Sequence, residues 1–319
     1  MKENFLMTKG GVNPCVKLFK SLFKDKTFKF CATNCMGINM YYSTIHTHTN
    51  YCDGNNTAEE MVIAAINKGM KSIGISTHGP LPFKAKWAVD ADKVQTYIDE
   101  VNYLKEKYKD KIEVLLGMEF DYFLDIEYEH IDKSIVKQLD YFVGSIHYLG
   151  RYNDGKPWTV DASYEKFIDG INATYNGDKK AAILDYYYHL SKMVIKYKPD
   201  VVGHIDIVKK TNTNNVLFDE SEDWYKKAVC DCLDKIKDID TVIEINTGAI
   251  ARGYDIEQYP SDWILEEINK RQIPITINSD AHSVEGIACE FDKMYELVKK
   301  LNISNLVYLT KDGWKKMIL

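Results

Sequence analysis

Six of the chain's eight histidines, His46, His48, His78, His147, His204 and His282, stand at the ends of short runs rich in β-branched residues. Glu119 and Asp280 end two such runs in the same way. Imidazoles and carboxylates gathered in this number are costly to bury unless a cation holds them together. The donor set has no strand-end thiolate, so it fits zinc, manganese or iron rather than Cu(I) or an iron–sulfur cluster. Eight or nine ligands exceed what one tetrahedral ion accepts, so two or three divalent ions are expected. Closely spaced divalent ions serve in-line displacement at phosphorus, where one oxygen attacks and another leaves. Cys52, close to the first histidine pair, reads as a small loop residue. His130 and His189 fall in helical stretches and read as exposed or locally satisfied.

Such residues need elements that bring them to one place. From Tyr41 onward, short β-branched runs alternate with longer helical patterns, the signature of a parallel β/α architecture. The seven runs are 42–45 ending at His46, 72–76 ending at His78, and 112–118 ending at Glu119. They continue with 141–146 ending at His147, 200–203 ending at His204, 241–245 ending at Asn246, and 274–279 ending at Asp280. Between the first two, Thr57-Ala58-Glu59-Glu60 is a capping box. Ala58, Met61, Val62, Ala65 and Ile66 then follow at helical spacing, and Gly69 is placed to stop the helix. In a β/α barrel the C-terminal strand ends converge on one mouth, where active sites sit.

Composition agrees with a folded, soluble chain. Of 319 residues, 45% are hydrophobic, 28% charged and 12% aromatic, and the net charge is −6. That balance argues against non-specific nucleic-acid binding, which needs concentrated Lys and Arg. No apolar run approaches the roughly 20 residues of a membrane span. Seven cysteines, an odd number, fit free thiols in a reducing compartment, so a cytoplasmic location is expected. The charge is uneven: residues 1–39 carry +5 and residues 40–319 carry −11. Residues 1–39 read as a basic N-terminal extension outside a catalytic core spanning 40–319. Cys15, Cys31 and Cys35 lack a second close pair and make a weak zinc motif.

His46-Thr47-His48-Thr49, followed by Cys52-Asp53-Gly54, resembles the opening motif of the PHP superfamily (polymerase and histidinol phosphatase). The segments 75–80, 117–122, 144–147, 203–206, 244–247 with Arg252, and 278–282 are similar to its later motifs, in order. Within the superfamily, His204-Ile205-Asp206 with Glu244-Ile245-Asn246-Thr247 looks most like the histidinol-phosphatases. The resemblance implies a distorted (β/α)7 TIM-like barrel with its metal site at the C-terminal strand ends. It implies three ions. The first would be held by His46, His48, Glu119 and Asp280. The second would share Glu119 and add His147 and His204. The third would use Asp53, His78 and His282. Glu119, Asp280 and His282 would then stand at the reacting centre. Thr77 departs from the family, where many relatives carry Asp before this histidine, and the loop 151–156 is unusual.

The implied reaction is hydrolysis of a small phosphomonoester, L-histidinol phosphate. A water bridging two divalent cations has its pKa lowered toward ~7 and attacks phosphorus as hydroxide. The chain has only three arginines, so an arginine in a loop after a strand end is informative, because its planar fork holds phosphate bidentately. Arg252 is the first candidate to bind phosphate and Arg151 the second. Arg271 precedes the last strand and reads as a surface residue. Asp121, Asp161, Phe83 and Trp158 are positional candidates for the organic part of the substrate. Two alternatives stand beside this reading. One is a PHP-type phosphoesterase acting on nucleotides or other small phosphomonoesters; the other is a non-catalytic metal-binding regulatory domain. The sequence assigns no oligomeric state.

Overall fold

In the computed structural model, residues 43–124, 132–254 and 257–319 are described. The basic extension 1–39, with its three cysteines, and His130 lie outside the described residues. Strands β1 (Ser43–Thr44), β2 (Ser72–Ile75) and β3 (Glu113–Leu116) form a parallel sheet in that order. A second parallel sheet contains β4 (Glu119–Asp121), β5 (Val143–Ser145), β8 (Val201–Val202), β9 (Val242–Asn246) and β10 (Ile275–Asn278). Its order is β10-β9-β8-β5-β4. Isolated parallel bridges link the two sheets at both flanks, Thr47 with Ala281 and His78 with Glu119. Between β5 and β8, strands β6 (Tyr148–Arg151) and β7 (Pro157–Thr159) make an antiparallel hairpin.

The seven runs thus become eight parallel strands, because the third breaks at Gly117-Met118. Glu119 opens β4 instead of closing β3. At this break the Tyr141 ring passes so close that a Cβ on Gly117 would lie 2.2 Å from its Cζ, and one on Gly74 2.1 Å from its hydroxyl. With both positions bare, the Tyr141 hydroxyl reaches across and donates to the Ile45 carbonyl at 2.6 Å, just before His46. Tyr141 belongs to a small cluster with Ile45, Leu115, Val143, Val201 and Leu309. Leu309 lies in β11 (Val307–Thr310), which pairs with β12 (Gly313–Lys316). Ser72, the first residue of β2, donates to the Leu309 carbonyl, and Ile275, the first of β10, bridges to Leu306. This hairpin therefore covers the N-terminal strand ends, away from the histidines.

A larger core lies between strands and helices. Helix α1 (Ala58–Asn67) buries Ala58, Met61, Val62 and Ala65. Both halves of its capping box form: Thr57 Oγ1 accepts from the Glu60 amide, and Glu60 Oε2 accepts from the Thr57 amide. Gly69 follows with a φ of 72°, a conformation glycine adopts without steric cost. Helix α2 (Val94–Tyr108) turns Tyr97 inward, where its hydroxyl donates toward the Ile75 and Gly117 carbonyls, at 2.8 and 2.7 Å, beside the strand break. Among the described residues, no helix is long and apolar enough to cross a membrane.

Candidate metal centre

Every imidazole and carboxylate picked out at a strand end faces one cluster, and Glu119 is at its centre. One carboxylate oxygen, Oε2, lies 3.2 Å from His46 Nε2, 3.5 Å from His48 Nε2 and 3.0 Å from His78 Nδ1. The other, Oε1, lies 3.1 Å from His204 Nε2 and 3.9 Å from His147 Nε2, and accepts from the Ser145 hydroxyl at 2.6 Å. Asp280 Oδ1 stands 3.1 Å from His48 Nε2 and 3.8 Å from His46 Nε2. At the more exposed rim, Asp53 Oδ1 is 3.3 Å from His282 Nε2 and 3.8 Å from His78 Nε2. His204 and Asp280 take positive φ values of 20° and 44°, so two of these side chains are aimed by backbone that non-glycine residues seldom adopt.

The donors fall into groups whose ligating atoms lie within 4.8 Å of one another: His46, His48 and Glu119; Glu119, His147 and His204; and His48, Asp53, His78 and His282. Two further sets, His46 with His204 and Asp280, and His78 with Asp121 and His147, overlap these. The chemistry of the cluster asks for cations. His46 Nε2, His48 Nε2, His78 Nδ1 and Glu119 Oε2 are buried without a hydrogen-bond partner, although they point at one another. Unpartnered buried acceptors of this kind are costly, and a divalent ion satisfies several at once. Burial, reinforced by the neighbouring His282 and His78 rings, pushes the His48 imidazole down to about 3, so its lone pair is free for a metal at neutral pH. Burial works against ionising Glu119 and Asp280, but the surrounding imidazoles, and Arg252 beside Asp280, outweigh it and hold both carboxylates well below their usual range.

The PHP domain family matches residues 44–248, the stretch that carries most of this cluster. The chain belongs to the PHP domain family. It is 28% identical over 275 residues to the histidinol-phosphatase of Bacillus subtilis, covering 79% of this chain and 97% of that protein. Its structure resembles the crystal structure of a candidate histidinol phosphatase from Listeria monocytogenes, with a TM-score of 0.70 and 25% identity. That likeness covers 79% of this chain and 99% of the other. It also resembles the histidinol phosphate phosphatase of Lactococcus lactis, crystallised with zinc, L-histidinol and phosphate, at a TM-score of 0.64 and 19% identity. There the coverage is 86% of this chain and 99% of the other.

Behind the PHP cluster, two carboxylates orient its histidines. Glu244, fully buried, lies 3.0 Å from His46 Nδ1 through both oxygens, which turns Nε2 into the cluster. Glu244 also accepts from the His204 amide and from the Asn246 and Asn278 side chains. Asp121 does the same for His147, with Oδ1 2.8 Å from Nδ1. Burial disfavours the His147 cation, but the Asp121 and Glu119 carboxylates outweigh this and raise its value to about 10. Asp121, a positional candidate for the organic part of the substrate, thus lies against a histidine, and Glu244 joins it as a positioning group outside the strand-end pattern. The signal for Glu244 was present: a lone carboxylate inside the apolar run Val242-Ile243-Glu244-Ile245 must have partners. Cys52 does more than fill its loop, since its Sγ lies 3.5 Å from His48 Nδ1. Burial, with Asp53 nearby, pushes its thiol up to about 11.

The cluster floors a cavity of ≈ 380 Å³ whose walls include Trp87, Asp161, Lys166, Lys210, Arg252, Tyr254 and Tyr259. Arg252 reaches it as expected: Nη2 pairs with Asp280 Oδ2 at 3.2 Å, and Nη1 lies 2.7 Å from His282 Nδ1. Gly248 makes room for this, because a Cβ there would sit 2.8 Å from Asp280 Oδ2. Arg151 does not line this cavity. The β6–β7 hairpin carries it to a neighbouring groove with Phe83 and Trp87, where its guanidinium donates to the Gly155 carbonyl. Of the other positional candidates, Asp161 lines the cavity and pairs with Lys210 at 3.3 Å. Trp158, in β7 of the hairpin, is buried and donates to Thr174, a structural role. Phe83 packs edge-on against Phe123 and Tyr148. Arg271 pairs with Asp234 and Glu267, and His189 with Asp185, both away from the site.

Proposed function

We propose that this chain is a metal-dependent histidinol-phosphatase, which hydrolyses L-histidinol phosphate to L-histidinol and phosphate. The observation that carries the reading is the two-faced Glu119, with three imidazole nitrogens around one oxygen and two near the other. The names of the relatives point to the same substrate. Two or three divalent ions, zinc, manganese or iron, would be held by His46, His48, Glu119 and Asp280, by Glu119, His147 and His204, and by Asp53, His78 and His282. Bound there, such ions acidify water and offset charge on phosphoryl oxygens. We read the two bridged sheets as one distorted seven-unit β/α barrel with this site at its mouth. Residues 40–319 form the catalytic core and residues 1–39 an appendage. The free thiols of Cys52, Cys230, Cys232 and Cys289 suit a cytoplasmic enzyme.

The protein's own groups divide the remaining work. Glu244 and Asp121 fix the rings of His46 and His147 through Nδ1, so that in the neutral rings a metal requires, the lone pair is on the Nε2 facing the cavity. His282 Nδ1 lies 3.0 Å from the Asp280 carbonyl and 2.7 Å from Arg252 Nη1. When Nδ1–H donates to that carbonyl, as it would where Nε2 serves as a metal ligand beside Asp53, Arg252 Nη1 loses His282 as a partner and keeps only its bond to the Asp280 carbonyl at 3.2 Å. The guanidinium, still braced by Asp280, then has a donor for a phosphoryl oxygen. The test is phosphate release by the zinc-, manganese- and iron-loaded protein from histidinol phosphate and from mononucleotides. Preference for histidinol phosphate supports the proposal; preference for a nucleotide rejects it.

A further inference from the structure

We infer that Tyr259 is a further substrate-contacting residue, whose hydroxyl donates a hydrogen bond to a phosphoryl oxygen of the bound phosphomonoester. This rests on the phosphatase reading above and extends it to a residue outside the metal-binding set.

Tyr259 lines the cavity beside Arg252 and His204, with its ring centroid 6.5 Å from that of His204. The residue is 1% exposed, yet its hydroxyl has no hydrogen-bond partner. Buried tyrosine hydroxyls are normally paired, and leaving one without a partner is destabilising. Five other fully buried tyrosines, Tyr97, Tyr141, Tyr186, Tyr187 and Tyr225, have partners for their hydroxyls. Tyr259 is held in place from behind. Its amide and carbonyl both bond to Asn246, at 3.0 and 2.6 Å, and the Lys209 ammonium lies 5.6 Å from its ring. The fold therefore holds a phenol in the cavity wall and leaves its hydroxyl unpaired.

The neighbours select the ligand. The floor of the cavity is imidazole and carboxylate, whereas this wall adds the Arg252 guanidinium and the Lys210 ammonium. A molecule spanning floor and wall must bring acceptor oxygens to the wall, as a phosphoryl group does. At neutral pH a phenol is a donor, and a phosphoryl oxygen is an acceptor only.

Tyr259→Phe keeps the ring and removes the hydroxyl. A hydrogen bond to a charged acceptor corresponds to roughly a 10- to 100-fold change. The variant should lose that factor in kcat/KM for histidinol phosphate and raise the inhibition constant of inorganic phosphate several-fold. Zinc content should match the wild type, and the melting temperature should stay equal or rise, because no folded-state bond is lost. Wild-type phosphate inhibition and kcat/KM in the variant overturn the inference while leaving the phosphatase reading intact. So does a lower melting temperature or failure to fold, which would show that the hydroxyl serves structure. A wild-type protein that neither binds phosphate nor hydrolyses any phosphomonoester overturns both.

Discussion

Replacing Glu244 with Gln tests whether the cluster depends on a carboxylate that touches no substrate. Gln keeps the shape but turns one oxygen into a donor. If Oε1 becomes the amide nitrogen, it meets the Asn246 side-chain nitrogen, 2.7 Å away, and the His204 amide, 2.8 Å away. If Oε2 does, it meets Asn278 Nδ2 at 2.8 Å and His46 Nδ1 at 3.0 Å. Neither asparagine can turn over to relieve the conflict. Asn246 Oδ1 accepts from the Gly248 amide and Asn278 Oδ1 from the Ile45 amide, both at 2.9 Å. Two hydrogen bonds to a charged acceptor are therefore lost, each contributing roughly 1.5–3 kcal/mol. Glu244→Gln should cost about 3–6 kcal/mol of unfolding free energy in the metal-stripped protein, read from urea titration. Zinc affinity, measured against a chromophoric chelator, should fall about 10- to 100-fold, because His46 loses the partner that orients it. An unchanged urea midpoint would refute the packing argument. A lower midpoint with wild-type zinc affinity would refute the orienting role and leave Glu244 as a structural residue.

Glu119→Gln should reduce metal content and lower kcat by several orders of magnitude, and near-native turnover would reject its bridging position. Arg252→Ala should retain most of the metal but lose roughly 10²–10³ in kcat/KM, the scale for one charge-stabilising donor. Arg252→Lys should recover only part of this, because a point charge cannot reproduce the fork. In the stripped protein, burial opposes protonation of His46, His78 and His147. The carboxylates around them, Glu244 and Glu119, Glu119 and Asp53, and Asp121 and Glu119 respectively, nevertheless raise all three, His147 to about 10. A raised folded value gives stability that is full below the ordinary histidine value of about 6.5 and lost as pH climbs through the folded value. The stripped protein should therefore unfold at lower urea at pH 9 than at pH 7. Zinc affinity should rise over the same interval, since the metal needs neutral imidazoles; stability independent of pH would contradict the geometry.

The histidines were legible because each ended an apolar run of strand-like residues, and parallel β/α topology sends such ends to one side. Arg252 was legible for the same reason, lying a short step beyond β9. Arg151 looked equivalent by spacing, but its loop folds into the β6–β7 hairpin and leaves the cavity, a path no local pattern fixes. The position of Glu119 was misjudged because the run 112–118 is continuous in type. The break coincides with the close approach of Tyr141, which is remote in sequence from both Gly74 and Gly117 and supplies a contact rather than a pattern. Trp87, Lys210 and Tyr259 were missed because they come from long connections, whose course depends on what they pack against.

The break at Gly117-Met118 also has a mechanical consequence. It puts Glu119 at a seam, where the first sheet gives way to the second through the single His78–Glu119 bridge. The opposite flank is joined by the Thr47–Ala281 bridge, again between neighbours of proposed ligands, His46 and His48 on one side and Asp280 and His282 on the other. Ions held by residues from both sheets would thus act as rivets across both seams. Chelation should loosen the molecule along these lines first. The His48 amide, bonded to the Ala281 carbonyl, and the Glu119 and Gly79 amides, bonded to the Thr77 and Glu119 carbonyls, should exchange hydrogen faster while the sheet interiors stay protected.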